Sequence, residues 1–108
     1  MKVSFVVKGK VQGVMFRKSF CVAAKHRGIL AGATNLEDRD RVLCSLEGPK
    51  EDIDKFIEEI KNANDLNSWG ANVESVKMLE EFRDFDQHDY DNRELKETLN
   101  LHGVKLNI

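Results

Sequence analysis

Proline is nearly absent from this sequence, one residue in 108, and glycine contributes only 7. That excludes collagen-like and low-complexity chains, and no stretch is rich enough in Gly, Ser or Pro to link two domains. Cysteine occurs twice, as Cys21 and Cys44, and neither has a second Cys or a His at ligand spacing. A disulfide framework and a metal site drop out, and reduced thiols suit a cytoplasmic setting. No apolar run approaches the roughly 20 residues of a spanning helix. The opening stretch also meets Lys8 too early to be a signal-peptide core, so no membrane partner is expected. At this length a chain buries roughly 65% of the surface it exposes when unfolded, enough for one hydrophobic core, and a single domain over 1–108 is expected.

Acidic residues are missing from one region. Met1 to Leu36 holds Lys2, Lys8, Lys10, Arg17, Lys18, Lys25 and Arg27 and no Asp or Glu, although the whole chain has a formal net charge of −2. A local field of that sign draws anions, small phosphates or nucleic acid alike. Composition alone fits a solvated basic face equally well.

Periodicity is what the sequence has in quantity. Val3, Phe5 and Val7 alternate with polar neighbours as a half-buried strand ending at Gly9. From Met15 the spacing changes, with Phe16, Phe20, Ala23 and Ala24 on one face of a helix that Gly28 can end in the left-handed conformation. Ile29 to Asn35 and Val42 to Leu46 predict a hairpin across the charged turn Glu37 to Arg41. Pro49 opens a second helix carrying Ile53, Phe56, Ile57 and Ile60, the polar stretch Asn62 to Asn72 reads as a loop, and Val73 to Phe82 as a fourth strand. The order β-α-β-β-α-β predicts an α+β fold, the ferredoxin-like split β-α-β sandwich with two helices on one face of an antiparallel sheet. Residues 84–108 read as a divergent C-terminal extension or insertion: an acidic turn, a helix over 91–101 capped by Asp91 with Glu94, and an edge strand through Val104, Leu106 and Ile108.

The sharpest local feature is Gly9-Lys10-Val11-Gln12-Gly13-Val14-Met15-Phe16-Arg17. A glycine-bracketed turn from strand to helix aims backbone N–H groups at one point, where the helix N-terminus adds positive potential. Arg17, in the first helical turn, can take two oxygens of one phosphate with its planar fork. An ordinary strand-to-helix turn with a surface Arg accounts for the same residues. The loop is not a Walker A motif, because no Gly-Lys-Ser/Thr follows. Cys21 and Arg27 have the Cys-x5-Arg spacing of a phosphate loop, but helix-forming residues lie between them, so Cys21 reads as packing. His26, His88 and His102 read as solvated or helix-terminal, the Asp84–Asp91 acids as a solvated turn lacking the Gly and Glu of a calcium loop, and Trp69 and Phe82 as core or rim.

The nine residues from Gly9 resemble the acylphosphatase signature G-x-V-Q-G-V-x-F-R at every specified position. Ala24 to Ile29, Asn35 and Val42 to Gly48 are similar to further parts of that family's pattern, and the likeness is good over roughly residues 2 to 61. Two departures stand out: Ala31-Gly32-Ala33 replaces the usual Gly-Trp-Val, and Asp38 to Arg41 replaces a tight Asp-Gly hairpin. The resemblance implies hydrolysis of acyl phosphates to a carboxylate and inorganic phosphate by water attack on phosphorus, with no metal or cofactor. It implies that Arg17 and the amides of Gln12, Gly13, Val14, Met15 and Phe16 hold the phosphoryl oxygens, while Asn35 orients the water. Partners implied are a small-molecule acyl phosphate and, as competitive ligands, inorganic phosphate or sulfate, for a cytoplasmic monomer that binds no nucleic acid. A catalytically silent acylphosphatase-like regulatory or binding domain is the alternative. An RNA-binding module of the same fold would need stacking aromatics, which Val42 to Leu46 lacks.

Overall fold

Alternation in the first ten residues produces β1, Lys2–Lys10, with Phe5 and Val7 wholly buried on its inward side. The computed structural model describes residues 1–62 and 70–93. After β1 come α1 (Phe16–His26), β2 (Leu30–Asn35), β3 (Arg41–Glu47), α2 (Lys50–Asn62), β4 (Asn72–Met78), a 3-10 turn at Phe85–Gln87 and β5 (Tyr90–Asp91). All strand pairs are antiparallel, in the order β4-β1-β3-β2-β5. Inward side chains of β1, β2 and β3 share one core with Phe16 and Phe20 of α1 and with Ile53, Phe56 and Ile60 of α2. Phe20 joins the layers: its ring lies 6.1 Å from Phe5, 5.6 Å from Phe16 and 5.5 Å from Phe56. This is the α+β, ferredoxin-like arrangement that the pattern predicts. Gly28 ends α1 at φ 73°, as expected.

The chain after β4 departs from expectation. The fourth strand ends at Met78, not Phe82, because the chain there leaves the sheet edge and crosses the outer face as a strap. Ser4 and Ser45 point to that face, opposite to Phe5 and Cys44, and both are buried beneath the strap. Ser4 accepts the Arg83 N–H at 2.8 Å, and the Ser45 hydroxyl donates to the Arg83 carbonyl at 2.6 Å. The strap then reaches β2, where Tyr90 and Asp91 pair with Ala33 and Gly32 as β5. Asn92, wholly buried, accepts from the Ala31 N–H and donates to the Cys21 and Ile29 carbonyls. Each of these groups would otherwise be a buried polar orphan. Asp91 accepts the Arg93 N–H, as a helix cap does, but is itself the last residue of β5; positions 94–101 of the predicted helix, the strand over 104–108 and Trp69 lie outside the described residues.

His88 is a correction. It is half-buried within the strap rather than solvated, with Nε2 2.7 Å from Ser45 Oγ and Nδ1 3.0 Å from Thr34 Oγ1. Since Ser45 already gives its proton to Arg83, Nε2–H donates to Ser45, and in the neutral ring Nδ1 accepts from the Thr34 hydroxyl. Burial pushes the His88 pKa below its ordinary 6.5, against the Arg83 carbonyl and the charges of Asp89 and Asp91, which raise it. The neutral strap is therefore most stable above that ordinary value and loses stability as pH falls below it, where the unfolded chain binds the proton more readily.

The ring lies on Gly32: a Cβ there would come within 2.8 Å of His88 Cδ2. Gly32→Ala is expected to destabilise the fold by about 1–3 kcal/mol, because the imidazole must give up its two hydrogen bonds to make room. Chemical denaturation measures this, and an unchanged midpoint would show that His88 is not seated there. Among the described residues no helix is long and apolar enough to cross a membrane.

Candidate active site

Two glycine-permitted kinks shape the loop between β1 and α1. Gly9, at φ 148°, forms a bulge so close to β4 that a Cβ would lie 2.3 Å from the Asn72 carbonyl oxygen. Gly13, at φ 74°, turns the chain toward the helix. Met15 precedes α1 at φ 57°, a left-handed conformation that a non-glycine residue adopts only at a cost. No side chain caps α1 and no acid stands in its first turn, so its leading N–H groups face the loop without a competing anion on the helix.

Gln12 ties this loop to the other half of the site. Its Nε2 points at the carbonyl oxygens of Leu36, Asp38 and Arg41, at 2.8, 3.0 and 2.8 Å. Those carbonyls belong to the turn that follows Asn35, so Gln12 fixes the spacing between the loop and the end of β2. Its side chain faces away from the cleft and leaves only its backbone to a ligand. Val14 is buried and also does not border the cleft.

The cleft itself, about 380 Å³, is bordered by Val11, Gly13, Met15, Phe16, Arg17, Lys18, Asn35 and Tyr90. Five of the seven residues singled out in the sequence thus meet there: Gly13, Met15, Phe16, Arg17 and Asn35. Asn35 Oδ1 is buried and has no hydrogen-bond partner among the described residues. A buried acceptor left unpaired costs about 1–3 kcal/mol, and such an atom at the wall of an anion-attracting cleft is ready to accept from a water or ligand donor. Arg17 Nη1 lies 3.5 Å from Asp89 Oδ2.

Lys18, Asp89 and Tyr90 were not selected from the sequence. Lys18 had a signal, adjacency to Arg17 inside the acid-free stretch. Asp89 and Tyr90 had none, because the strap brings them in from more than 70 positions away. The misleading Cys-x5-Arg spacing resolves as packing. Cys21 is buried with its thiol toward the Ala31 carbonyl, and burial drives its pKa far upward, which keeps it from forming a nucleophilic thiolate. Arg27 turns to α2, donating to Glu59 at 2.6 Å and lying over Phe56. Among the described residues no group of three or more His, Cys, Asp or Glu is arranged to hold a metal ion.

A larger groove of about 830 Å³ opens on the outer sheet face beside Lys8, Arg39, Arg41 and Lys77. Two of those cations are already paired, Lys8 with Asp40 and Arg41 with Asp38, and the buried side-chain atom left unpaired among the described residues, Asn35 Oδ1, belongs to the smaller cleft. The smaller cleft carries the chemistry.

A model of the acylphosphatase family matches residues 3–91. The acylphosphatase of Pyrobaculum islandicum is 38% identical over 84 residues, which are 73% of this chain and 84% of that protein. A probable carbamoyltransferase HypF of Methanocaldococcus jannaschii is 39% identical over 87 residues, covering 79% of this chain and only 11% of its own length. The crystal structure of acylphosphatase from Bacillus subtilis superposes with a TM-score of 0.60 at 29% identity, over 81% of this chain and 90% of that one.

Proposed function

The chain belongs to the acylphosphatase family, and from that premise we infer that its cleft hydrolyses acyl phosphates with Arg17 and Asn35 as the catalytic residues. Substrate and water, R-CO-OPO₃²⁻ and H₂O, give R-COO⁻ and H₂PO₄⁻. Water oxygen bonds to phosphorus, the bridging P–O bond breaks, and its electron pair leaves on the carboxylate. A carboxylate is stable as an anion and needs no general acid, so a cleft without a catalytic His, Cys or Asp suffices. What the protein supplies is placement and charge.

Each part has a support. The left-handed turn at Gly13 and Met15 and the uncapped start of α1 suit the phosphoryl oxygens to the backbone N–H groups from Gln12 to Phe16. Arg17 adds a fork whose Nε and Nη2 have no partner among the described residues. The observation that carries the reading is the orphaned Asn35 Oδ1, which accepts a hydrogen bond from the attacking water and so points a lone pair of that water at phosphorus. Lys18 adds positive potential at the rim. The ligands are a small acyl phosphate and, in competition, inorganic phosphate or sulfate, bound by a monomer in the cytoplasm with no nucleic acid involved.

The test is turnover of benzoyl phosphate. Hydrolysis well above the spontaneous rate, unchanged by a chelator and inhibited competitively by inorganic phosphate, is expected. Absence of turnover by folded protein would instead favour a silent acylphosphatase-like domain, a second reading motivated by the match to one part of a much longer carbamoyltransferase.

A further inference from the structure

Asp89 stands against Arg17 and belongs to no part of the loop motif. Its Oδ2 lies 3.5 Å from Arg17 Nη1, with the two side chains 53% and 38% exposed, so the pair sits in water and can exchange partners. Its position is fixed from behind. The Asp89 N–H donates to Thr34 Oγ1 at 2.9 Å, Thr34 holds His88 Nδ1, and His88 is wedged over Gly32 with Nε2 on Ser45. The strand that ends in Asn35 therefore also sets a carboxylate at the arginine. Two carboxylate oxygens resemble two oxygens of a phosphate in spacing and charge, and Arg offers its fork to either. A dianion seated on the same guanidinium would lie within roughly 6 Å of Asp89, where two negative charges repel.

We propose that Asp89 determines the affinity of this site: it is an internal anion that competes with the phosphoryl group for Arg17 and so keeps the product phosphate from holding the enzyme. This rests on the assignment of Arg17 as the phosphoryl clamp. His88 acts through Thr34 as a positioning residue for Asp89. When phosphate arrives, Arg17 Nη1 exchanges the carboxylate for a phosphoryl oxygen, and when it leaves, Asp89 retakes the arginine.

Calorimetric titration of inorganic phosphate into the wild-type protein and Asp89→Asn tests this. The variant keeps size and an amide oxygen for Arg17 and loses only the charge. Binding about three- to tenfold tighter at low ionic strength is expected, shrinking toward equality in sodium chloride of about 0.5 M, because both groups are exposed to screening. The melting temperature should stay within about 2 °C of wild type, since an exposed pair of this kind adds little stability. A gain of affinity is not something lost packing produces. His88→Gln, which loosens the hold on the strap while keeping the Asp89 charge, should give a smaller gain. Equal or weaker binding by Asp89→Asn overturns the proposal. If Asp89→Asn binds phosphate more tightly but neither protein turns over benzoyl phosphate, the hydrolase reading falls and the competition stands.

Discussion

Arg17→Ala is expected to lower kcat/KM for benzoyl phosphate by about a hundredfold to a thousandfold, the loss that removing one preorganised stabiliser of transition-state charge causes in other enzymes. The reason lies in how little else the cleft offers. Backbone N–H groups at the start of α1 are partial charges, and Lys18 is a solvated cation at the rim. Arg17 alone brings a full charge with two parallel donors. Arg17→Lys should recover little of the loss, because a compact ammonium cannot reach two oxygens at once and is more strongly hydrated. Inorganic phosphate should bind weakly to both variants, since the clamp serves ground state and transition state alike. An Arg17→Lys enzyme within about a factor of two of wild type would show that Arg17 is not the clamp.

The second large effect belongs to Asn35. Asn35→Ala should lower kcat by about a hundredfold or more while the affinity for inorganic phosphate stays nearly constant, because an amide that positions water acts only as the water attacks. Its stability should not fall, and a small gain is consistent with removal of a buried acceptor that has no partner among the described residues. Weakened phosphate binding with kcat intact would make Asn35 a ligand of the anion and the assigned mechanism wrong. The absence of an aromatic at Gly32 suggests from sequence that β2 holds Asn35 loosely. The structure gives the strand another support: His88 fills the space over Gly32, and Thr34, beside Asn35, is bonded to both His88 and Asp89.

Local physics made most of the fold legible. Alternation in β1, the 3.6-residue spacing of α1 and α2 and the glycine at the end of α1 each depend on residues a few positions apart, and those elements lie within a residue or two of where the pattern predicts them. The loop from Gly9 to Arg17 was legible for the same reason, since glycine at two positive-φ positions and an uncapped helix start are local features. What could not be read was the strap. Nothing near Arg83 to Asp91 says that those residues cross the sheet, because the partners that hold them, Ser4, Ser45 and Thr34, lie 38 to 79 positions away. His88 looks like a surface histidine until Gly32 is placed beneath it, and Asp89, solvated as its sequence suggests, looks unpaired until Arg17 is placed beside it. Gln12 is the converse case, a residue rightly linked to the loop whose side chain serves the far hairpin instead of the ligand.

The central claim, that this cleft directs water to phosphorus, is tested most directly by hydrolysing benzoyl phosphate in water enriched in oxygen-18 and locating the label. The account predicts enzyme-catalysed turnover with the label in inorganic phosphate and none in benzoate, because the bond that breaks is the bridging P–O bond. Label in benzoate would place the attack at the acyl carbon, leave Asn35 without the water assigned to it, and contradict the account.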